Sequence, residues 1–171
     1  MNEAAHGFLS WLAGLDPLLA VVVISALPWI ELRGGIPVGI ALLGLPAWKA
    51  VIAALLGNAL AVTPVVVGAK LYQGRLERWR WSRWLMAWSL SRARKHERFV
   101  NRYGSIGLAL LVAIPIPGTG AWSASAISIL IGMRLAPTLL AVYGGLLVCA
   151  GIILAATSGI MLGADFLAPA R

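Results

Sequence analysis

Two residues of this chain could do chemistry that its apolar sequence cannot. They are Glu31 and Arg33, in the run Pro28-Trp29-Ile30-Glu31-Leu32-Arg33-Gly34-Gly35-Ile36-Pro37. Apolar stretches flank the pair, Leu18 to Leu27 before it and Val38 to Leu45 after it. A charged side chain at the bilayer centre costs about 2.5–3.5 kcal/mol, and a leucine-like neighbour returns only about 0.3–0.6 kcal/mol. A chain that keeps both charges must shield them in protein or in a wet cavity, and such charges mark substrate or ion paths. Arg33 could clasp an anion through charge-assisted hydrogen bonds. Glu31 could take up and release a proton.

The elements that must position these residues are membrane helices. The chain has 171 residues, 60% of them hydrophobic, and a mean hydropathy of +0.88. That composition exceeds the apolar share of a soluble domain and predicts a single all-α membrane domain over 1–171. Cys149 is the only cysteine, so no intramolecular disulfide forms, and no Cys/His cluster suggests a metal. No cofactor is expected. No nucleophile stands with a base, and no phosphate-binding glycine loop occurs, so neither an enzyme nor an ATP-driven pump is expected.

Residues 1–16 read as a short interfacial helix, with Phe8, Leu9, Trp11, Leu12 and Leu15 on one face. Residues 17–46 hold two apolar arms, each too short for the ~20 residues of a span. They are expected to form a re-entrant hairpin that turns at the Glu31–Pro37 break, a kinked single span being the alternative. Residues 47–69 follow as a spanning helix, where Gly57 allows close packing and Asn58 faces protein. Residues 104–134 repeat the broken pattern around Pro115-Ile116-Pro117-Gly118-Thr119-Gly120 and predict a second re-entrant hairpin. Thr119, Ser123, Ser125 and Ser128 could line its second arm, or bond their own backbone. Residues 135–163 hold the last spanning helix.

Between the two halves, 70–103 carries Lys70, Arg75, Arg78, Arg80, Arg83, Arg92, Arg94, Lys95, Arg98 and Arg102 against Glu77 and Glu97. Trp81, Trp84, Leu85 and Trp88 recur there at helical spacing, which predicts an amphipathic segment on anionic headgroups. The net charge of +8 is therefore a matter of orientation, and no nucleic-acid partner is expected. The positive-inside rule places 70–103 in the cytoplasm and the termini on the outer side. A shift of 88 residues superposes Leu42 on Leu130, Gly44 on Gly132, Ala53 on Ala141 and Gly57 on Gly145. Together with the repeated order of short arm, break, short arm and span, this predicts two inverted repeats and a secondary transporter with its site at mid-membrane.

The string Glu31-Leu32-Arg33-Gly34-Gly35-Ile36-Pro37, with Pro115-Ile116-Pro117-Gly118-Thr119-Gly120 later, resembles the small multidrug export family. That family looks like a distant branch of the DedA/VTT membrane proteins, and the resemblance covers roughly residues 17–160. It implies two oppositely inserted re-entrant hairpins packed on spanning helices, in the bacterial inner membrane. DedA-type relatives are linked to moving lipid phosphates such as polyprenyl phosphate carriers, with protons implicated. Those relatives carry arginines near the second proline motif, where this chain has Ala113, Ile114, Ile116 and Gly118. The phosphate-binding half of the likeness thus rests on Arg33.

Three readings follow. In the first, an anionic amphiphile, such as a lipid phosphate, meets Arg33 together with Gly34, Gly35, Thr119, Gly120 and Ser123. Backbone N–H groups near Gly34-Gly35 and Gly118–Gly120 would add donors, with Glu31 as the proton-coupling group. In the second, a proton-coupled exporter binds lipophilic cations at Glu31, and Trp29 and Trp122 stack on them. In the third, Glu31 and Arg33 form an ion pair that only locks the hairpin of a scaffold or scramblase. Membrane lipids are the expected partners, and the small size and glycine-rich spans suit a homodimer.

Overall fold

The structure, a computed structural model, describes residues 14–71, 97–116 and 119–167. The interfacial helix expected over 1–16 lies outside these residues except for 14–16, the basic segment expected over 70–103 lies outside them over 72–96, and Gly118 lies outside them too. Every described element is helical, with no strand among the described residues.

Helix α1 is Pro17–Ala26. The Asp16 carboxylate caps it, accepting from Leu18 N at 2.9 Å, and Pro17 supplies a first turn that needs no N–H. It ends in a tight turn, Leu27 N to Ile24 O at 3.2 Å, just before Pro28 disfavours further helix. Helix α2 begins at Glu31 and covers Glu31–Pro37. The turn of the first hairpin therefore lies at 27–30, not at the Glu31–Pro37 run expected to form it. Pro37 cannot donate, yet the backbone continues by widening into a π-helical turn, Val38–Leu42, closed by Leu43 N to Val38 O at 3.0 Å. The glycine pair is thus inside a helix, and the proline loosens that helix without stopping it.

Helix α3 is Ala47–Leu71. Helix α4, Glu97–Ala113, is kinked at Gly104, so that its apolar arm starts beyond that residue. Helix α5 is Ala121–Leu130 and α6 is Leu135–Leu167. Two stretches, Ala47–Leu71 and Leu135–Met161, are long and apolar enough to cross a membrane. Large apolar side chains such as Leu42, Leu60, Ile106, Leu140 and Ile160 face outward, as lipid rather than water would favour. This is a membrane protein.

Close contacts fix how the helices run. Gly35 lies on Ser25 and Ala54, and Gly39 lies on Val21 and Ala50, so α2 runs antiparallel to both α1 and α3. Gly57 abuts the Val22 carbonyl and Ser25, while Gly145 abuts the Ala109 carbonyl and Val112. A side chain at either glycine would push a short arm off its long helix. Lys70 Nζ donates to the Met133 carbonyl, and Thr63 bonds Tyr143 through their hydroxyls. Those two links, one near each helix end and one further in, make α3 and α6 antiparallel. Helix α2 also touches α6, and α5 touches α3, so each second arm crosses to the other long helix. The residues between these helices are small and apolar: Ala54, Val62, Val66, Ala124, Ile127, Val142 and Leu146 are all buried.

Candidate functional site

The two charges sit where α2 starts, and each reaches across to the other half of the chain. Arg33 donates through Nη1 to the Ile116 carbonyl at 2.8 Å and to the Thr119 carbonyl. Through Nη2 it reaches Val112 O at 3.4 Å, Ile114 O at 3.3 Å and Thr119 Oγ1 at 3.4 Å. These carbonyls belong to the end of α4 and the turn after it, where a helix leaves its last acceptors unpaired and carries partial negative charge. The forked guanidinium matches such a cluster; a single ammonium point charge would not.

Glu31 goes the other way. Its Oε1 accepts from Trp122 N at 3.5 Å, and its carboxylate also meets the Ala121 N–H. Both donors open α5, the positive end of that helix. Glu31 is 5% exposed and adopts φ 52°, a left-handed conformation that a non-glycine residue holds at a cost of about 1–3 kcal/mol. The contact with α5 is what that backbone geometry achieves. Gly120 completes the fit: it has φ 150°, and a Cβ there would collide with both Glu31 carboxylate oxygens.

Thr119 staples the turn. Its hydroxyl reaches Ile114 O at 3.1 Å and Ile116 O at 2.8 Å, while its carbonyl takes Arg33. Cys149 of α6 lies beside Arg33, a neighbour for which no local pattern carries a signal. Ser123 is buried one turn into α5. Ser125 and Ser128 bond back to their own helix, Ser125 Oγ to Ala121 O at 2.5 Å and Ser128 Oγ to Ser125 O at 2.7 Å. Of the expected site residues, Glu31, Arg33, Thr119 and Gly120 are brought together. Gly34 and Gly35 are not: Gly34 N is spent on Ile30 O at 3.2 Å, and Gly35 packs on Ser25 and Ala54. An ion pair between Glu31 and Arg33 is not what forms. Each charge instead serves one end of the second break.

The comparisons bear on the same residues. The sequence pattern of the family described as "putative small multi-drug export protein" matches residues 31–153, well over half of the chain. The chain belongs to this family. No curated protein and no solved structure matches it. The family match opens on Glu31 and takes in Arg33, Thr119, Gly120, Trp122 and Cys149, so the whole constellation lies within it. The two long apolar helices fit a membrane transporter of this family.

One residue outside the expected set repeats the theme. Lys70, in the last turn of α3, donates to Met133 O and approaches Ser128 O at 3.5 Å. It therefore caps the end of α5 as Arg33 caps α4. Its position at the end of a span next to the basic block had marked it only as a topology signal.

Proposed function

We propose that the chain is a secondary transporter that exchanges a proton for a lipophilic cation at Glu31. The observation that carries this reading is the division of labour between the two charges. Arg33 is engaged by the carbonyls at and after the end of α4, whereas Glu31, a buried acid with Arg33 nearby, makes its hydrogen bonds to two N–H groups at the start of α5. A carboxylate so placed can trade its hold on α5 for a proton or for a cation, and uptake of one would favour release of the other. Trp29, 58% exposed two residues earlier, offers an aromatic face on the way in.

The same proposal includes a fold shared with DedA-type proteins, made of two inverted repeats, each a re-entrant hairpin and a span. It is supported by the antiparallel α3 and α6 and by pairs of residues 88 positions apart in matching roles. Gly44 and Gly132 both have φ 65° where the second arms end. Gly57 and Gly145 both receive a carbonyl of the first arm. Residues 70–103 would face the cytoplasm of a bacterial inner membrane.

The test is uptake of a fluorescent lipophilic cation into proteoliposomes under an imposed pH gradient. Glu31→Gln should lose gradient-driven uptake by about 10²-fold or more while keeping its fold, since the amide oxygen still accepts from α5. Uptake by Glu31→Gln at the wild-type rate would refute the exchange.

A second reading is favoured by one observation. Arg33 Nε and the Trp122 indole Nε1 are buried donors without a partner, and an anion entering at this break is the kind of ligand that such a donor takes. A phosphate lipid that survives gentle solubilisation of the wild type in native mass spectrometry and vanishes from folded Arg33→Lys, which lacks the Nε donor, would put the anionic amphiphile first.

A further inference from the structure

Two helix ends among the described residues receive a cation from the chain. Arg33 serves the end of α4, and Lys70 serves the end of α5. The end of α1 has no basic residue in its last turn, although α1 stands to α3 as α4 stands to α6. Two oxygens without partners lie at that end. Ser25, in the last turn of α1, is 0% exposed, and its Oγ has no hydrogen-bond partner. Asn58 on α3 is also 0% exposed; its Nδ2 donates to Ala54 O at 3.2 Å, which leaves Oδ1 a pure acceptor with nothing to accept. The Ser25 side chain sits between Gly57 and Gly35, beside the turn of α3 that carries Asn58.

A buried, unpaired acceptor costs about 1–3 kcal/mol, and native proteins meet such groups with water or an ion. Because Asn58 Oδ1 can only accept, its missing partner is a donor or a cation. The negative end of α1 selects a cation. Hard cations take oxygen ligands, and carbonyl ends of broken membrane helices bind sodium in just this way. The pairs Gly39–Ala50 and Gly35–Ala54, continued by one turn, put Glu31 level with Asn58. Glu31 is a buried acid, so one positive charge can be balanced there.

We propose that the carbonyl end of α1 holds a sodium-like monovalent cation, with Ser25 Oγ and Asn58 Oδ1 among its ligands. In the first half of the molecule this ion takes the place that the Arg33 guanidinium fills in the second. The ion shares its balancing charge, Glu31, with the proposed exchange, but its test reads the stability of the resting protein, so it can fail without the transport reading failing.

Thermal unfolding of the solubilised full chain tests this, with NaCl replacing N-methyl-D-glucamine chloride at constant ionic strength. The wild-type midpoint should rise saturably by about 2–4 °C. Ser25→Ala removes a hydroxyl that has no partner, so the variant should fold and show a weaker sodium response. Asn58→Leu should show no response. A wild-type midpoint indifferent to sodium would overturn the proposal and leave a buried water as the partner of these oxygens. A rise that persists unchanged in both variants would also overturn it, by placing the ion elsewhere.

Discussion

The two breaks of this chain have the same outline and opposite chemistry. The first, at 27–30, is followed at once by both charges of the site; the second, at 114–120, has none. Sequence order suggests that the charged break is the polar one. In three dimensions the charges leave it: Arg33 and Glu31 reach over and satisfy the ends of α4 and α5. Each break keeps two buried polar atoms without partners, the acceptor-capable oxygens of Ser25 and Asn58 beside the first and the donors Arg33 Nε and Trp122 Nε1 beside the second. Where a charge lies in the sequence need not be where its field is used.

The comparison can be broken most severely at Arg33. Arg33→Ala strips donors from the carbonyls after α4 and leaves Glu31 without a nearby positive charge. Arg33 is half-buried and each hydrogen bond from a charged donor contributes about 1.5–3 kcal/mol, so the yield and the unfolding midpoint should both fall. Arg33→Lys should recover part of this, because an ammonium keeps the charge but loses the fork.

Gly120 comes next. Gly120→Ala adds a Cβ against the Glu31 carboxylate at a glycine-only φ and should cost about 2–4 kcal/mol. Adding Glu31→Ala should return stability without returning transport. That recovery, measured by thermal unfolding, would show that the carboxylate and Gly120 share one space.

The two halves can then be set side by side with matched substitutions. Gly57→Ala and Gly145→Ala each force a methyl group into a carbonyl of the neighbouring arm and should cost about 1–3 kcal/mol apiece. Similar losses at both sites would sharpen the case for equivalent halves, and a loss at one site only would weaken it. The smallest effects belong to Gly44→Ala and Gly132→Ala. Nothing lies near either position, so only the left-handed φ is at stake, about 1–2 kcal/mol each.

Much of this was legible in the sequence. Length and hydropathy marked α3 and α6, and the Asp16-Pro17 start of α1 carries its own cap. Glu31, Arg33, Thr119 and Gly120 stood out because polar groups and glycines are rare at such depth. The turn of the first hairpin departs from the expected Glu31–Pro37 run because Gly34, Gly35 and Pro37 break helices in water but not here. Here Gly35 is required for contact with Ser25, and the helix absorbs Pro37 by widening into a π-turn, a tertiary effect that propensity does not contain. The crossing of the charges was also illegible, since it depends on which helix ends meet. Nothing local to Lys70 revealed that it caps α5, because its acceptors lie more than 55 residues away.

The most direct test of the central claim is proton release on cation binding. A lipophilic phosphonium cation is added to the purified protein in weakly buffered solution, and the pH change is followed across a range of starting pH. If Glu31 exchanges a proton for the cation, the wild type releases up to about one proton per cation bound, and Glu31→Gln releases none. Equal release from both proteins, or tight binding with no release at any pH, would contradict the account.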